Sequence, residues 1–384
     1  MKLAILTQPL LSNYGGLLQA YALQRVLKNM GHETWMVRFC DMEYYHTLLW
    51  FKTGTKKSLK NAARLILGRK MVLHPTRKEN DYVRQNTERF IKKHIEPISP
   101  LVSSPRQLKK FCASSAFDGY VVGSDQVWRP LYSPKITNFF LDFCRQADVK
   151  RIAYAASFGT DSWEFDDKET KQCAALAKRF DTISVREDSG IALCEKYLGV
   201  TARQVLDPTL LLDKEDYIRI VEEDNIQPCK GDLFCYILDE REGKRELVDW
   251  IADKYGMKPF RTMPELYFTK QNLEMNPQGC VFPSVSAWLR SFMDARFVVT
   301  DSFHGCVFSI LFNKPFVAIG NEDRGQSRFR SLLKLFGIEK RLCSTREEIE
   351  AAIETPIEWE IVNNTREQWR KDSLELLIQT LNKK

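Results

Sequence analysis

Nowhere does this 384-residue chain string together the roughly 18 apolar residues that a membrane-spanning helix needs. Its apolar share, 44%, still suffices for ordinary globular interiors, and the length favours two cores over one. Histidine is scarce. The five, at 32, 46, 74, 94 and 304, show no H-x-x-x-H or Cys/His ligand spacing, so no metal is expected. No two of the ten cysteines form a C-x-x-C pair, and Cys235 and Cys306 sit inside apolar runs. Buried reduced thiols in a reducing compartment are the expectation, rather than a disulfide framework. Repeats and low-complexity segments are lacking too. The opening Met1-Lys2-Leu3-Ala4-Ile5-Leu6-Thr7 is too short an apolar run for a signal peptide and reads as the first strand of a soluble, cytoplasmic protein.

The net charge of +7 is unevenly spread. Between Lys52 and Lys93 there are 13 Lys/Arg against 3 Asp/Glu, a local +10 that leaves about −3 for the remainder. Such a segment suits a polyanion or an anionic membrane surface, and it equally suits a solvated helical face. No recognised nucleic-acid module accompanies it, so nucleic acid is not an expected partner.

Strand and helix patterns alternate. Leu3–Thr7 reads as a strand, Gln8–Gly16 as a polar loop, Leu17–Met30 as a helix with Leu18, Ala22 and Val26 at four-residue spacing, and Thr34–Phe39 as a second strand. This order implies a right-handed parallel crossover. Residues 42–110 read as an inserted, basic helical segment. Strands resume at Gly119–Val122, Arg151–Ser157 and Thr182–Val185. Val205-Leu206-Asp207-Pro208 is an apolar run stopped by Asp-Pro and reads as a domain boundary. A second series follows: strand Leu233–Leu238, helices Lys244–Tyr255 and Val285–Met293, strand Phe297–Thr300, a helix after His304, strand Phe316–Ile319, and a terminal helix over Thr365–Leu381. The expected architecture is α/β: an N-terminal Rossmann-like domain over 1–207, a C-terminal one over 208–364, and a C-terminal helix over 365–384. Strand ends from both domains would face a central cleft.

The candidate functional residues lie where strands give way to helices, the edge at which open α/β sheets bind ligands and anions. Val298-Val299-Thr300 runs into Asp301-Ser302-Phe303-His304-Gly305, placing a carboxylate, a hydroxyl and an imidazole beside helix N-terminal amides. Asn13, Gly15 and Gly16 fill the first such loop, which is not G-x-G-x-x-G and argues against a nicotinamide cofactor. Gly123-Ser124-Asp125 follows Tyr120-Val121-Val122; Ser124 and Asp125 suit a sugar hydroxyl or a helix cap. Trp128 suits core packing or stacking on a sugar. Arg186, at the end of Thr182–Val185, offers a planar fork to a carboxylate or phosphate, or to an internal ion pair. Arg324 and Arg328 stand in a loop after Phe316–Ile319, either holding an anion or solvated.

Taken together and in their order, Asn13-Tyr14-Gly15-Gly16-Leu17-Leu18-Gln19-Ala20, Gly123-Ser124-Asp125, Ile183-Ser184-Val185-Arg186, Asp207-Pro208 and Asp301-Ser302-Phe303-His304-Gly305 resemble the polysaccharide pyruvyl transferase family over roughly residues 1–345. The resemblance implies a glycosyltransferase-B-like pair of Rossmann-like domains. It implies phosphoenolpyruvate as donor, no cofactor, and as acceptor a sugar of a surface polysaccharide, polyprenyl-diphosphate-linked. The product would be a pyruvate ketal. His304 and Arg186 match family residues thought to engage the donor. Ser302 stands where many relatives carry an arginine; Arg324 or Arg328 would compensate.

On that reading His304 and Asp301 are catalytic, Asp301 orienting the imidazole or deprotonating the acceptor. Arg186, Ser302, His304, Arg324 and Arg328 hold the donor. Asn13, Gly15, Gly16, Ser124 and Asp125 line the acceptor side. The segment 52–93 would touch the inner membrane face peripherally. The competing expectation is a nucleotide-sugar glycosyltransferase on the same fold.

Overall fold

The computed structural model describes residues 1–40, 76–133, 135–146, 148–239, 243–320 and 326–383. Its strands are short runs of apolar residues, several buried along their whole length, as strands covered on both faces must be. One sheet comprises β1 (Lys2–Leu6), β2 (Glu33–Met36), β3 (Gly119–Val122), β4 (Lys150–Ala156), β5 (Thr182–Val185) and β6 (Arg203–Gln204), in the order β2-β1-β3-β4-β5-β6. The other comprises β7 (Leu233–Tyr236), β8 (Pro259–Phe260), β9 (Phe297–Thr300), β10 (Phe316–Ile319) and β11 (Leu342–Cys343), in the order β11-β10-β9-β7-β8. All paired strands run parallel, so their carboxyl ends line up along one edge of each sheet.

The two-residue period of a strand divides the apolar interior. Leu3, Ile5, Val121 and Ile152 of the first sheet share a core with Phe234, Val298 and Phe316 of the second. Their neighbours in sequence, Ala4, Leu6, Tyr120 and Val122, face a separate cluster on the far side of the first sheet. Leu233, Cys235, Val299 and Val317 do likewise for the second. The helices Tyr14–Asn29, Val285–Asp294 and Phe303–Leu311 contribute to the shared core. Tyr14 stacks on Trp288 at 5.6 Å between ring centroids, and its hydroxyl donates to the Pro283 carbonyl at 3.0 Å. Residues of both sheets thus belong to one continuous apolar interior.

The long helix Trp359–Asn382 begins beyond the second sheet and returns to the first. Leu206 N–H donates to Ser373 Oγ at 3.1 Å, and Thr182 and Thr380 hydroxyls meet at 2.7 Å. Arg366 donates to the carbonyls of Leu210 (3.3 Å) and Leu212 (2.8 Å) and to Asp213 Oδ1 (2.9 Å), gripping the segment between the sheets.

Several boundaries differ from those read in the sequence, each for a local reason. The first helix starts at Tyr14 rather than Leu17, because Asn13 caps it and both glycines lie inside its first turn. β6, β8 and β11 are two-residue edge strands, too short to carry an alternating pattern. Trp128 is core: fully buried, stacked on Phe140 at 4.7 Å, with its indole N–H on Phe139 O. None of the ten cysteines is bridged. Of the basic insert, residues 42–75 lie outside the described residues. Its later part forms helices at Arg77–Val83, Gln85–His94 and Pro105–Ser114. Lys93 there is engaged by Glu223 and Asp224, both at 3.0 Å. Among the described residues no helix is long and apolar enough to cross a membrane.

Arg366→Ala should destabilise the fold by about 2 kcal/mol, the scale of lost hydrogen bonds from a charged donor. Urea unfolding with an unchanged midpoint would show that the clamp contributes nothing.

Candidate active site

Strand β1 ends in a loop that closes on the helix Tyr14–Asn29, where Asn13 Oδ1 accepts from Gly16 N–H at 3.2 Å. That cap occupies the Asn13 side chain. Gly15 sits one residue into the helix, directly against the His304 imidazole: a Cβ there would overlap ring atoms Nδ1 and Cγ. The absent side chain thus lets the helix start pack against a histidine at the other sheet's edge. Gln19, one turn on, donates to Thr7 Oγ1 (2.9 Å) and Gly16 O (2.8 Å) and accepts from Ser124 N–H (3.0 Å). It fixes the first loop to the loop after β3.

That second loop turns at Gly123, whose φ of +123° only glycine adopts readily. Asp125 follows with φ +70°, a region tolerated by aspartate but uncommon for other side chains. The turn brings Ser124 and Asp125 inward, toward the end of β5. There Arg186 donates from Nη1 to Asp207 Oδ2 at 2.8 Å and from Nη2 to Asp125 Oδ1 at 3.3 Å. Ser124 Oγ donates to Asp207 Oδ2 at 3.3 Å as well.

Asp207 joins this cluster to His304. Oδ1 accepts from Thr209 N–H (3.1 Å) and Thr209 Oγ1 (2.7 Å), which fixes the carboxylate plane. Oδ2 faces Arg186, Ser124 and, at 3.6 Å, His304 Nε2. Burial opposes ionisation of Asp207, but the neighbouring His304, Arg186 and Thr209 outweigh it and hold the carboxyl well below the usual range. Burial likewise opposes the charge of Arg186, and the Asp207, Asp125 and Glu187 carboxylates reverse that and raise its pKa. Glu187 Oε1 accepts from Ser157 Oγ (2.9 Å) and the N–H groups of Phe158 (2.7 Å) and Gly159 (3.2 Å), fixing the loop after β4.

Two guanidiniums approach the Phe303 ring. Arg186 Cζ is 4.1 Å from its ring centroid and Arg328 Cζ 5.9 Å. Burial, and then repulsion by Arg186, push the Arg328 pKa down to about 10. The Asp125 and Glu187 carboxylates offset part of that repulsion. Arg186 Nε and His304 Nε2 are buried with no hydrogen-bond partner among the described residues. The cluster is closed from solvent, with side-chain exposures of 2% for Arg186, 0% for Asp207 and 7% for His304. Strand ends of both sheets thus contribute to one buried cluster.

Not every expected residue belongs. Asp301 points away from the imidazole: its carboxylate accepts from the N–H groups of Leu238 (2.7 Å) and Asp239 (3.1 Å) and pairs with Lys244 Nζ at 2.6 Å. It ties the end of β7 to β9, and the carboxylate beside His304 is Asp207. Ser302 is the buried N-cap residue of the helix Phe303–Leu311, and its N–H donates to Thr300 Oγ1 at 3.1 Å. Arg324 lies outside the described residues. Arg186 makes the internal ion pairs that were one of its two readings. Gly15, Ser124, Asp125, Arg186, His304 and Arg328 are brought together; Asn13 and Gly16 serve the adjoining helix start. Asp207 was missed as a site residue. The available signal was a charge inside the apolar run Val205–Leu212, where a carboxylate must find partners. Among the described residues no three His, Cys, Asp or Glu side chains are grouped as a metal site would require.

A family model described as polysaccharide pyruvyl transferase matches residues 13–323. No protein of curated function matches the chain by sequence. Among solved structures, a glycosyltransferase from Rickettsia africae superposes with a TM-score of 0.50 at 9% identity, covering 100% of this chain and 99% of that one. UDP-GlcNAc 2-epimerase from Neisseria meningitidis, bound to UDP-GlcNAc, superposes with a TM-score of 0.51 at 9% identity, covering 99% of each chain. At such identity the likeness concerns the fold: two parallel α/β sheets in the glycosyltransferase-B arrangement.

Because the Asp207 carboxyl is held below its unfolded value, its stabilisation is complete above the ordinary carboxylate pKa near 4 and is lost as pH falls through the folded value. Asp207→Asn should therefore cost about 3 kcal/mol at neutral pH, the scale for breaking a buried ion pair, and the deficit should narrow below about pH 4. Denaturant unfolding across pH measures it; a deficit that does not vary with pH contradicts the assignment.

Proposed function

The chain belongs to the polysaccharide pyruvyl transferase family, and from that premise we propose that it moves the enolpyruvyl group of phosphoenolpyruvate onto a sugar of a surface polysaccharide, carried on a polyprenyl diphosphate. The observation that carries this reading is the buried group of Arg186, Arg328, Asp207 and His304 at the meeting sheet edges. The donor is a small, highly charged anion. Two guanidiniums about one aromatic ring suit its phosphate and carboxylate, and the uncommitted Arg186 Nε supplies a further donor.

The reaction requires two additions at the same carbon. A proton adds to the donor's methylene carbon, and a sugar hydroxyl oxygen bonds to C2 as it loses its own proton. The C2–phosphate oxygen bond then breaks, phosphate leaves with the bonding electrons, and a second hydroxyl closes the ketal and gives up its proton. The chain must supply one group that both gives and accepts a proton, and cations for the departing phosphate. His304 fits the first role. Asp207, with Oδ2 3.6 Å from Nε2, orients the ring, the relation a carboxylate bears to histidine in acid–base pairs. Arg186 and Arg328 fit the second. This chemistry needs no cofactor from the chain.

His304→Ala should lower turnover on the order of 10²-fold or more in protein that remains folded, as loss of an acid–base group does. The assay incubates the protein with phosphoenolpyruvate and a panel of lipid-linked saccharides, and reads a pyruvate ketal by mass. No adduct, together with a melting shift produced by a nucleotide-sugar and none by phosphoenolpyruvate, would favour a nucleotide-sugar glycosyltransferase instead.

A further inference from the structure

Beside Asp125 the chain turns back over Arg129–Ser133 and exposes two large apolar side chains in succession. Leu131 is 67% exposed and Tyr132 38%. The turn that holds them is tightly bonded. Tyr132 and Ser133 N–H groups both donate to Arg129 O at 3.0 Å, and Ser133 Oγ donates to Val127 O at 2.8 Å. Gln8 Nε2 reaches Gln126 O (2.8 Å) and Ser133 Oγ (2.9 Å), tying the turn to the loop after β1.

Beneath lies Arg129, buried and locked. Its Nε and Nη2 grip the Glu164 carboxylate at 3.0 and 3.1 Å, and Nη1 reaches Gln126 Oε1 at 3.3 Å. Its Cζ stands 5.2 Å from the Tyr132 ring centroid. The phenol is thus backed by a fixed guanidinium while much of the residue remains in solvent. Apolar side chains displayed by a rigid loop, with polar groups at the margin, form a surface on which a ligand can be laid. The turn is joined to the reaction cluster through the chain: Asp125, four residues before Arg129, accepts from Arg186 Nη2 at 3.3 Å.

We infer that the Leu131–Tyr132 turn is the acceptor platform, with a pyranose ring laid against the Tyr132 phenol and its hydroxyl edge toward Gln126 and Glu164. A sugar ring matches the surface chemically. Its C–H faces are apolar and suit an aromatic plane, and its rim of hydroxyls suits an amide and a carboxylate. The family's acceptor is a polysaccharide, so the occupant next to the reaction centre is a saccharide rather than a protein or a lipid chain. The inference rests on reading the Arg186–Asp207–His304 cluster as that centre.

Two measurements test the platform separately from the reaction. In steady-state assays Tyr132→Ala should raise the acceptor KM about tenfold, the scale of a lost aromatic contact, with the phosphoenolpyruvate KM unchanged. Tyr132→Phe should keep both, since the ring rather than the hydroxyl is used. In saturation-transfer NMR, methyl glycosides of hexoses and N-acetylhexosamines should receive saturation from the unchanged protein and lose it with Tyr132→Ala. An unaltered acceptor KM in Tyr132→Ala, or no glycoside signal from the unchanged protein, overturns the platform. Glycoside signals that depend on Tyr132, without any ketal formed, would support the platform and count against phosphoenolpyruvate as donor.

Discussion

The site hangs on one carboxylate. Asp207 is sealed from water, and each of its oxygens has a distinct duty: Oδ1 is held by Thr209, while Oδ2 meets Arg186, Ser124 and His304. A buried ion costs several kcal/mol to desolvate unless its partners are well placed. That requirement explains the neighbourhood. Arg186 supplies the counter-charge, Asp125 shares the guanidinium, and Phe303 covers it. Because Asp207 lies between the sheets and His304 projects from the second, one charge balance joins both halves of the fold. The shared apolar interior and the returning helix Trp359–Asn382 supply the bulk stabilisation. The charges decide the geometry at the seam.

Much of the architecture was legible because it follows from periodicity. Buried parallel strands appear as short apolar runs stopped by a glycine or a charged residue, and Gly119–Val122, Thr182–Val185, Phe297–Thr300 and Phe316–Ile319 have the bounds their patterns predict. The amphipathic helix Lys244–Tyr255 likewise matches. Pattern fails at the margins. β6, β8 and β11 owe their pairing to neighbours in space, and nothing within two residues announces that.

Position on a strand end was legible; direction was not. His304, Arg186, Ser124 and Asp125 all lie at the predicted edge and converge. Asp301 lies there too, three residues from His304, yet it turns toward the β7 loop and Lys244. The carboxylate that faces the imidazole is 97 residues away in sequence, where its pattern reads as a boundary marker. Such a pairing is decided by how two sheets meet, which no local window contains. Gly15 makes the same point from the opposite side. Its lack of a side chain is explained by a ring nearly three hundred positions later.

The central claim is that Asp207 and His304 work as one unit rather than as two independent residues. A double-mutant cycle on turnover measures this directly, using Asp207→Asn, His304→Ala and the pair. If the two act together, the double variant should be about as slow as His304→Ala alone, as groups sharing one catalytic function behave. If the losses multiply, each residue acts by itself, and Asp207 is not the partner through which the imidazole works.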